Sequence, residues 1–387
     1  MKSKWLVVCL AFLLLVAMSG LAQDGSGTGP TAGMGRGTAT LGAGGSHTPN
    51  NLPMTGENQN VFLDQRGHGG ELVAGKVAVD GHPVVWDPIP VTIYCDGRAK
   101  AQTVADNRGQ FSFRSVDLGG TVPQPKTADP NQSALYAGCT LRASLAGYRS
   151  STITVPLRSA LVDSPEVGTL HLTLDEHASG NAFSLTTATA PEKALSSYKK
   201  ARDEYMEGRN DKAISDLQKA VQAYPQFAEA WYQLGKLQSS NNAARAKESY
   251  EKAIAADPKF VPPYEAMAQI LTNEGQWQKA IENTSRSLQL DPEGSPAVWY
   301  YDALAKFNVG QRQQAEESAK KALAMDPNHR VPNTEQLLAV LEAGRGDLTD
   351  ALEHLKHCLT YLPAGPNADL VKRQIAQLEA NSPSAAK

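Results

Sequence analysis

The sequence predicts a multidomain protein: an antiparallel β-sandwich followed by an all-α superhelix of five helix pairs and a capping helix. Three observations carry this. Period-two alternation of apolar and polar residues, broken by Asp-Gly and Ala-Gly turns, runs from about residue 69 to 176. Five prolines, Pro225, Pro258, Pro292, Pro327 and Pro363, then recur at gaps of 33, 34, 35 and 36 residues, as stacked helix pairs require. Ahead of both lies a stretch with nine Gly in residues 24–46 and almost nothing bulky, which cannot bury enough apolar surface to offset its ordering entropy.

Residues 1–22 come first. Lys2 and Lys4 precede an apolar run from Trp5 to Met18, and small residues end it at Ala22. That order is expected of a secretory signal peptide cleaved after Ala22. The apolar run falls short of the roughly 20 residues that span a bilayer, so no stable membrane insertion is expected once the signal is removed. A secreted or periplasmic location follows, in an oxidising compartment. Residues 23–68 read as a flexible tether. The net charge is −3, from 37 basic and 40 acidic residues, too near zero for a nucleic-acid footprint.

Between residues 69 and 176, strands are expected at 71–79, 90–95, 110–114, 140–145, 151–155 and 167–173. Cys95 ends one and Cys139 begins another. Their pairing would close a loop of about 45 residues, worth roughly 4 kcal/mol in the chain-entropy model; the other reading is two separate buried thiols. Gly75-Lys76-Val77, Val91–Tyr94, the acidic turn and alternating aromatics of Thr103–Phe113, and Leu145–Tyr148 resemble the carboxypeptidase regulatory-like domain, a transthyretin-like β-sandwich. A Pro- and Gln-rich insertion from Asp117 to Ala137 departs from that pattern. The resemblance implies a non-catalytic accessory module that binds protein or carbohydrate. Trp86 and Tyr148 are the aromatics that could stack on a sugar; core packing is the other reading for both.

Residues 177–192 read as a linker. From 193 to 365, small residues recur seven apart ahead of each proline: Ala213 and Ala220, Ala246 and Ala253, Ala280 and Ser287, Ala315 and Ala322, Ala351 and Cys358. Residues so spaced share a helix face and let a neighbouring helix approach closely. Gly208, Gly275, Gly310 and Gly346 mark turns, and Trp231–Gly235 carries an aromatic and glycine signature. These features resemble the tetratricopeptide repeat family. Two local departures are the missing turn Gly near Asn241-Asn242 and Asp302 at a position usually apolar. Residues 366–380 form the expected capping helix, with Leu370, Ile375 and Leu378 on its apolar side. The resemblance implies a concave groove lined by first helices, with Tyr198, Tyr232, Glu265 and Tyr300 facing it and Arg202, Lys236 and Gln269 one turn on.

Reactive constellations are sparse. His68 and Glu71 have a metal-ligand spacing but lack a third ligand on a rigid scaffold. His354 and His357 share a helix face without a third His or a nearby carboxylate in the sequence, and read as a solvated pair. Cys358 occupies a packing position and reads as a buried structural thiol. No nucleophile elbow, phosphate loop or H-E-x-x-H occurs. The expectation is a non-enzymatic scaffold, without cofactor or metal, that holds a protein or peptide partner in the groove. The alternative is a carbohydrate-binding envelope accessory protein acting through the β-sandwich.

Overall fold

A computed structural model of the chain describes residues 71–80, 86–106, 108–114, 138–156 and 166–381. The expected signal peptide, the tether and the insertion at 117–137 lie outside the described residues.

Among the described residues, eight strands form two four-stranded sheets. They are β1 (Glu71–Val79), β2 (Ile89–Cys95), β3 (Arg98–Ala105), β4 (Gln110–Arg114), β5 (Thr140–Ala143), β6 (Tyr148–Ser150), β7 (Ile153–Thr154) and β8 (Glu166–Leu174). One sheet has the order β4-β1-β8-β6 and the other β3-β2-β5-β7. Alternate residues of both sheets meet in one core: Val73, Val77, Phe111, Phe113, Leu170 and Leu172 from the first, Val91, Ile93, Ala101 and Leu141 from the second. The sheets are not wholly antiparallel, because β1 and β8 pair in parallel. Two strands escape the sequence pattern. In β3 the inward positions are Ala101 and Ala105, too small to announce an apolar face, and β6 is only three residues long.

Local chemistry sets the turns. Asp96 and Gly97 form a two-residue hairpin loop with φ of 51° and 74°, the primed-turn conformation that matches strand twist. At the β3–β4 corner, Asp106 Oδ1 accepts the amides of Arg108 and Gln110, both at 2.8 Å. A Cβ at Gly109 would lie 2.3 Å from the Val77 carbonyl oxygen, so only glycine fits there. Cys95 and Cys139 are joined as a disulfide with Cα atoms 4.6 Å apart, tying the end of β2 to the residue before β5.

The described helices are α1 (Glu192–Met206), α2 (Asn210–Ala223), α3 (Ala228–Gln238), α4 (Ala243–Ala256), α5 (Pro262–Asn273), α6 (Trp277–Leu290), α7 (Pro296–Asn308), α8 (Arg312–Ala324), α9 (Asn333–Arg345), α10 (Leu348–Tyr361) and α11 (Pro366–Asn381). They stack as five pairs plus one, and the first helices α3, α5 and α7 also touch in succession. All ten small residues spaced seven apart are fully buried. Gly208, Gly275, Gly310 and Gly346 each take a left-handed φ between the helices of a pair. Where that glycine is missing, Asn242 instead caps α4 by accepting the Arg245 amide at 3.0 Å. Gly235 lies against Tyr250, where a Cβ would be 2.6 Å from the ring.

The segment expected as a linker is instead a strap bonded to both sides. The Ala182 amide donates to the Ala146 carbonyl at 2.8 Å, and Asn181 exchanges backbone bonds with Lys259 and Val261, both at 2.9 Å. Ser184 is 1% exposed; its amide donates to Glu229 and its hydroxyl to Asp257. Short polar side chains inside a repeat interface hold this strap, a pattern without periodicity in sequence.

Candidate functional site

The residues expected to line an open groove are largely covered: Tyr198 and Lys236 by the segment leading into β2, Tyr232 and Tyr300 by neighbouring helices. Trp86, on the approach to β2, inserts between first helices. Its ring lies 5.2 Å from Tyr198 and stacks on Tyr205 at 5.7 Å. Beside it, Asp87 forms an ion pair with Lys236 and accepts from Gln233 Nε2 at 3.4 Å. Burial pulls the Lys236 ammonium down, but the Asp87 charge and hydrogen bond outweigh it and raise its pKa. Farther along, the Gln102 amide donates to Asn328 Oδ1 at 3.1 Å, and Arg330 Nη2 donates to the Gln102 carbonyl at 3.1 Å.

Each expected groove residue therefore has a definite place. Tyr198 is 4% exposed, under Trp86 and Phe227, with its hydroxyl donating to Glu229 at 3.2 Å. Tyr300 is 5% exposed, within the core shared by the fourth and fifth pairs. Tyr232 is half-buried against Tyr250 and Phe260. Arg202 is half-buried, with Nε enclosed and lacking a hydrogen-bond partner. Gln269 is half-buried on α5. Tyr198 and Tyr300 are thus packing residues, because inter-helix gaps take large rings before solvent does. The two aromatics considered for sugar stacking are engaged as well: Trp86 is 7% exposed and Tyr148 meets Phe183 edge-on at 5.8 Å.

Glu265, one of the seven, lines a cleft. A cleft of about 720 Å³ separates the two-sheet module from α5, the loop before α7 and the end of α8. Tyr94, Arg98 and Leu145 form part of one wall; Glu265, Asp291 and Pro296 form part of the other. Burial, and then the neighbouring Asp291 charge, push the Glu265 carboxyl up to about 7 against the hydrogen bonds from Ser295. Burial also raises Asp291, opposed by the amides of Gly294 and Glu293. Two carboxyl groups held in a partly dry cleft favour a ligand that brings a positive charge or a hydrogen-bond donor.

Sequence reasoning missed the wall from the two-sheet module. Trp86 was legible only as an isolated aromatic in the run Pro83-Val84-Val85-Trp86-Asp87-Pro88, an apolar stretch outside any alternating strand. The histidine reading also changes. His354 and His357 both bond Glu335, which lies on the adjacent helix and so cannot be seen from local spacing. Cys358 is fully buried, and burial pushes its thiol up to about 12.

Two tetratricopeptide repeat family models match, over residues 228–260 and 249–282. Among curated proteins, the chain is 23% identical over 205 residues to the tetratricopeptide repeat and J domain-containing co-chaperone DNJ1 of Fusarium oxysporum f. sp. lycopersici. The match covers 51% of this chain and 39% of that protein, so the chain spans about two fifths of its relative's length. Among solved structures, YrrB, described as a TPR protein with an unusual peptide-binding site, is 20% identical with a TM-score of 0.41. It is covered over 99% of its length and matches 50% of this chain. MamA of Desulfovibrio magneticus RS-1 is 19% identical with a TM-score of 0.40, matching 44% of this chain and 96% of its own. The two family matches fall on the second and third helix pairs, and the other pairs repeat their packing. Residues 228–282 are thus similar to tetratricopeptide repeats.

Proposed function

We propose that the chain is a secreted or periplasmic, non-enzymatic scaffold that holds a partner polypeptide in the cleft between the two-sheet module and the inner helices of the third and fourth repeats. The two-sheet module, read as a carboxypeptidase regulatory-like β-sandwich with its Cys95–Cys139 bond closed, serves as the fixed wall of that cleft. The observation that carries the reading is the cleft itself. Its volume of about 720 Å³ falls in the range that takes a short peptide segment or a drug-sized ligand. Apolar surface from Leu145, Pro262, Pro296 and Met325 supplies area, while Glu265 and Asp291 supply direction for a basic side chain. The co-chaperone name of the matched relative is in keeping with a polypeptide client.

Site-specific photo-crosslinking in the native host tests this. A photoreactive residue at Arg98 or Glu293, both on the cleft, is expected to capture a discrete polypeptide identifiable by mass spectrometry. The same probe at Lys193 or Glu317, exposed positions outside the cleft lining, serves as control. Equal capture at all four positions, or none at Arg98 and Glu293, overturns the reading.

A further inference from the structure

We propose that His329, Glu335 and His357 form a binding site for one divalent late-transition-metal ion, zinc foremost, where the fourth repeat meets the fifth. One ligand atom from each of the three residues lies within 4.8 Å of the others. His329 Nδ1 is 3.4 Å from Glu335 Oε1, and His357 Nδ1 is 2.5 Å from the same oxygen. Ligand bonds of about 2.0–2.2 Å in a tetrahedron put neighbouring donors about 3.3 Å apart. The His329–Glu335 pair already has that separation, and the His357–Glu335 pair reaches it by opening about 1 Å, a small swing of a side chain that is 44% exposed.

The three donors come from separate elements, yet each is held. Glu335 is 1% exposed in the first turn of α9. His329 sits in the preceding loop with φ of 49°, a left-handed conformation uncommon outside glycine. Asp326 fixes that loop: its carboxylate accepts the amides of Arg330 at 2.9 Å and Val331 at 2.7 Å, and its carbonyl accepts the amide of His329 at 3.1 Å. Tyr361 stacks on the His329 imidazole at 4.3 Å, and the His357 ring meets it edge-on at 4.4 Å. His329 Nδ1 is enclosed and makes no well-formed hydrogen bond, although it faces Glu335. A metal ion would give that nitrogen a strong partner.

The surroundings supply outer support. His354 Nδ1 bonds the second oxygen of Glu335, and its Nε2 lies 3.4 Å from Glu342 Oε1. Such a hydrogen bond from a neighbouring histidine orients a ligating carboxylate. Two imidazoles with one carboxylate suit zinc and its late-transition neighbours, whereas calcium and magnesium prefer sites built wholly of oxygen. Three protein ligands leave a fourth position for water. The ion would tie the α8–α9 loop and α9 to α10, fastening the last helix pair to the array.

Calorimetric zinc titration of the tag-free full chain is expected to give one site with micromolar or tighter affinity. Cobalt added in place of zinc should produce the visible absorption bands of a tetrahedral nitrogen–oxygen site, a readout that needs no variant. His357→Ala, at a half-exposed position, is expected to keep the far-ultraviolet circular dichroism of wild type. It should weaken zinc by more than about tenfold, a loss that even a supporting residue can cause at a metal site. His177→Ala, in the strap after β8, should bind as wild type does. No saturable zinc binding, or equal binding by wild type and His357→Ala, overturns the proposal.

Discussion

Glu229 shows how one buried carboxyl can shape the behaviour of the whole chain. It is 5% exposed on α3, where its oxygens accept from the Ser184 amide at 2.9 Å and the Tyr198 hydroxyl at 3.2 Å. Burial outweighs those donors and pushes its pKa from 4.5 up to about 7. A carboxyl raised on folding binds its proton more tightly in the native state than in the unfolded one. Its protonated form therefore favours folding fully below about 4.5, and that advantage is lost as pH climbs to about 7. A shift of this size is worth about 3 kcal/mol between the two ends of the window. Glu229→Gln keeps the shape and removes the titration. Urea unfolding at pH 4.5 and pH 8 is expected to show a difference in stability smaller than wild type by about that amount. An unchanged difference would mean that Glu229 stays ionised in its pocket. Nothing in the sequence distinguishes Glu229 from the exposed acids around it, since its burial is imposed by the Ser184 strap arriving from 45 residues upstream.

At the scale of elements, the repeats combine a uniform packing rule with one local exception. Small residues at positions seven apart are buried in every pair, so the rule is visible in sequence and survives intact in space. Asp302 breaks it. This residue of α7 is fully buried, and its oxygens accept from Thr284 at 2.8 Å, Ser318 at 2.6 Å and Lys306 at 2.5 Å. The charge is tolerated because every partner is provided by the flanking helices α6 and α8 or by the next turn of α7. Removing one partner should therefore cost more than the pair itself contributes, since an unpaired buried charge remains. Lys306→Met is expected to lower stability by about 3 kcal/mol in a urea titration, whereas Lys320→Met, which removes an exposed pair with Glu316, should cost under about 1 kcal/mol. Equal losses would show that Asp302 is carried by Thr284 and Ser318 alone. The same contrast explains what could be read in advance. Prolines, turn glycines and small residues recur along the chain, so helix pairs were legible. The partners of Asp302 and Glu335 lie on neighbouring helices and follow no period, so the network around one and the histidine cluster around the other became visible only once the helices were stacked. In the sheets, β3 was missed because alanine fills its inner face.

For the molecule as a whole, the decisive feature is that the two-sheet module packs into the helical array. Sequence alone treated the two as separate units joined by a linker, because contacts such as Trp86 to Tyr205 and Gln102 to Asn328 connect residues more than 100 positions apart. A groove that reads as open along the chain is thus closed over its first two repeats and kept open as a cleft at the third and fourth. Trp86 is the anchor of this arrangement and Asp87 its polar lock, since Lys236 would otherwise be an enclosed cation without a partner. Trp86→Ala combined with Asp87→Ala removes both. Loss of a buried Trp alone costs about 3–5 kcal/mol, and each kcal/mol lowers the midpoint by about 2–4 °C in a protein of this size class. Scanning calorimetry should show wild type unfolding in one coupled transition. The double variant should separate into two, the lower falling by about 10 °C or more. The disulfide and the strap at Ser184 are untouched by these changes, so each part would still fold and the separation would report docking alone. A single transition at the wild-type midpoint would place the strength of the assembly in the strap. Photo-crosslinking from Arg98 adds a second criterion: if the docked module is the wall that forms the cleft, capture of a partner should fall in the double variant even at temperatures where both parts remain folded.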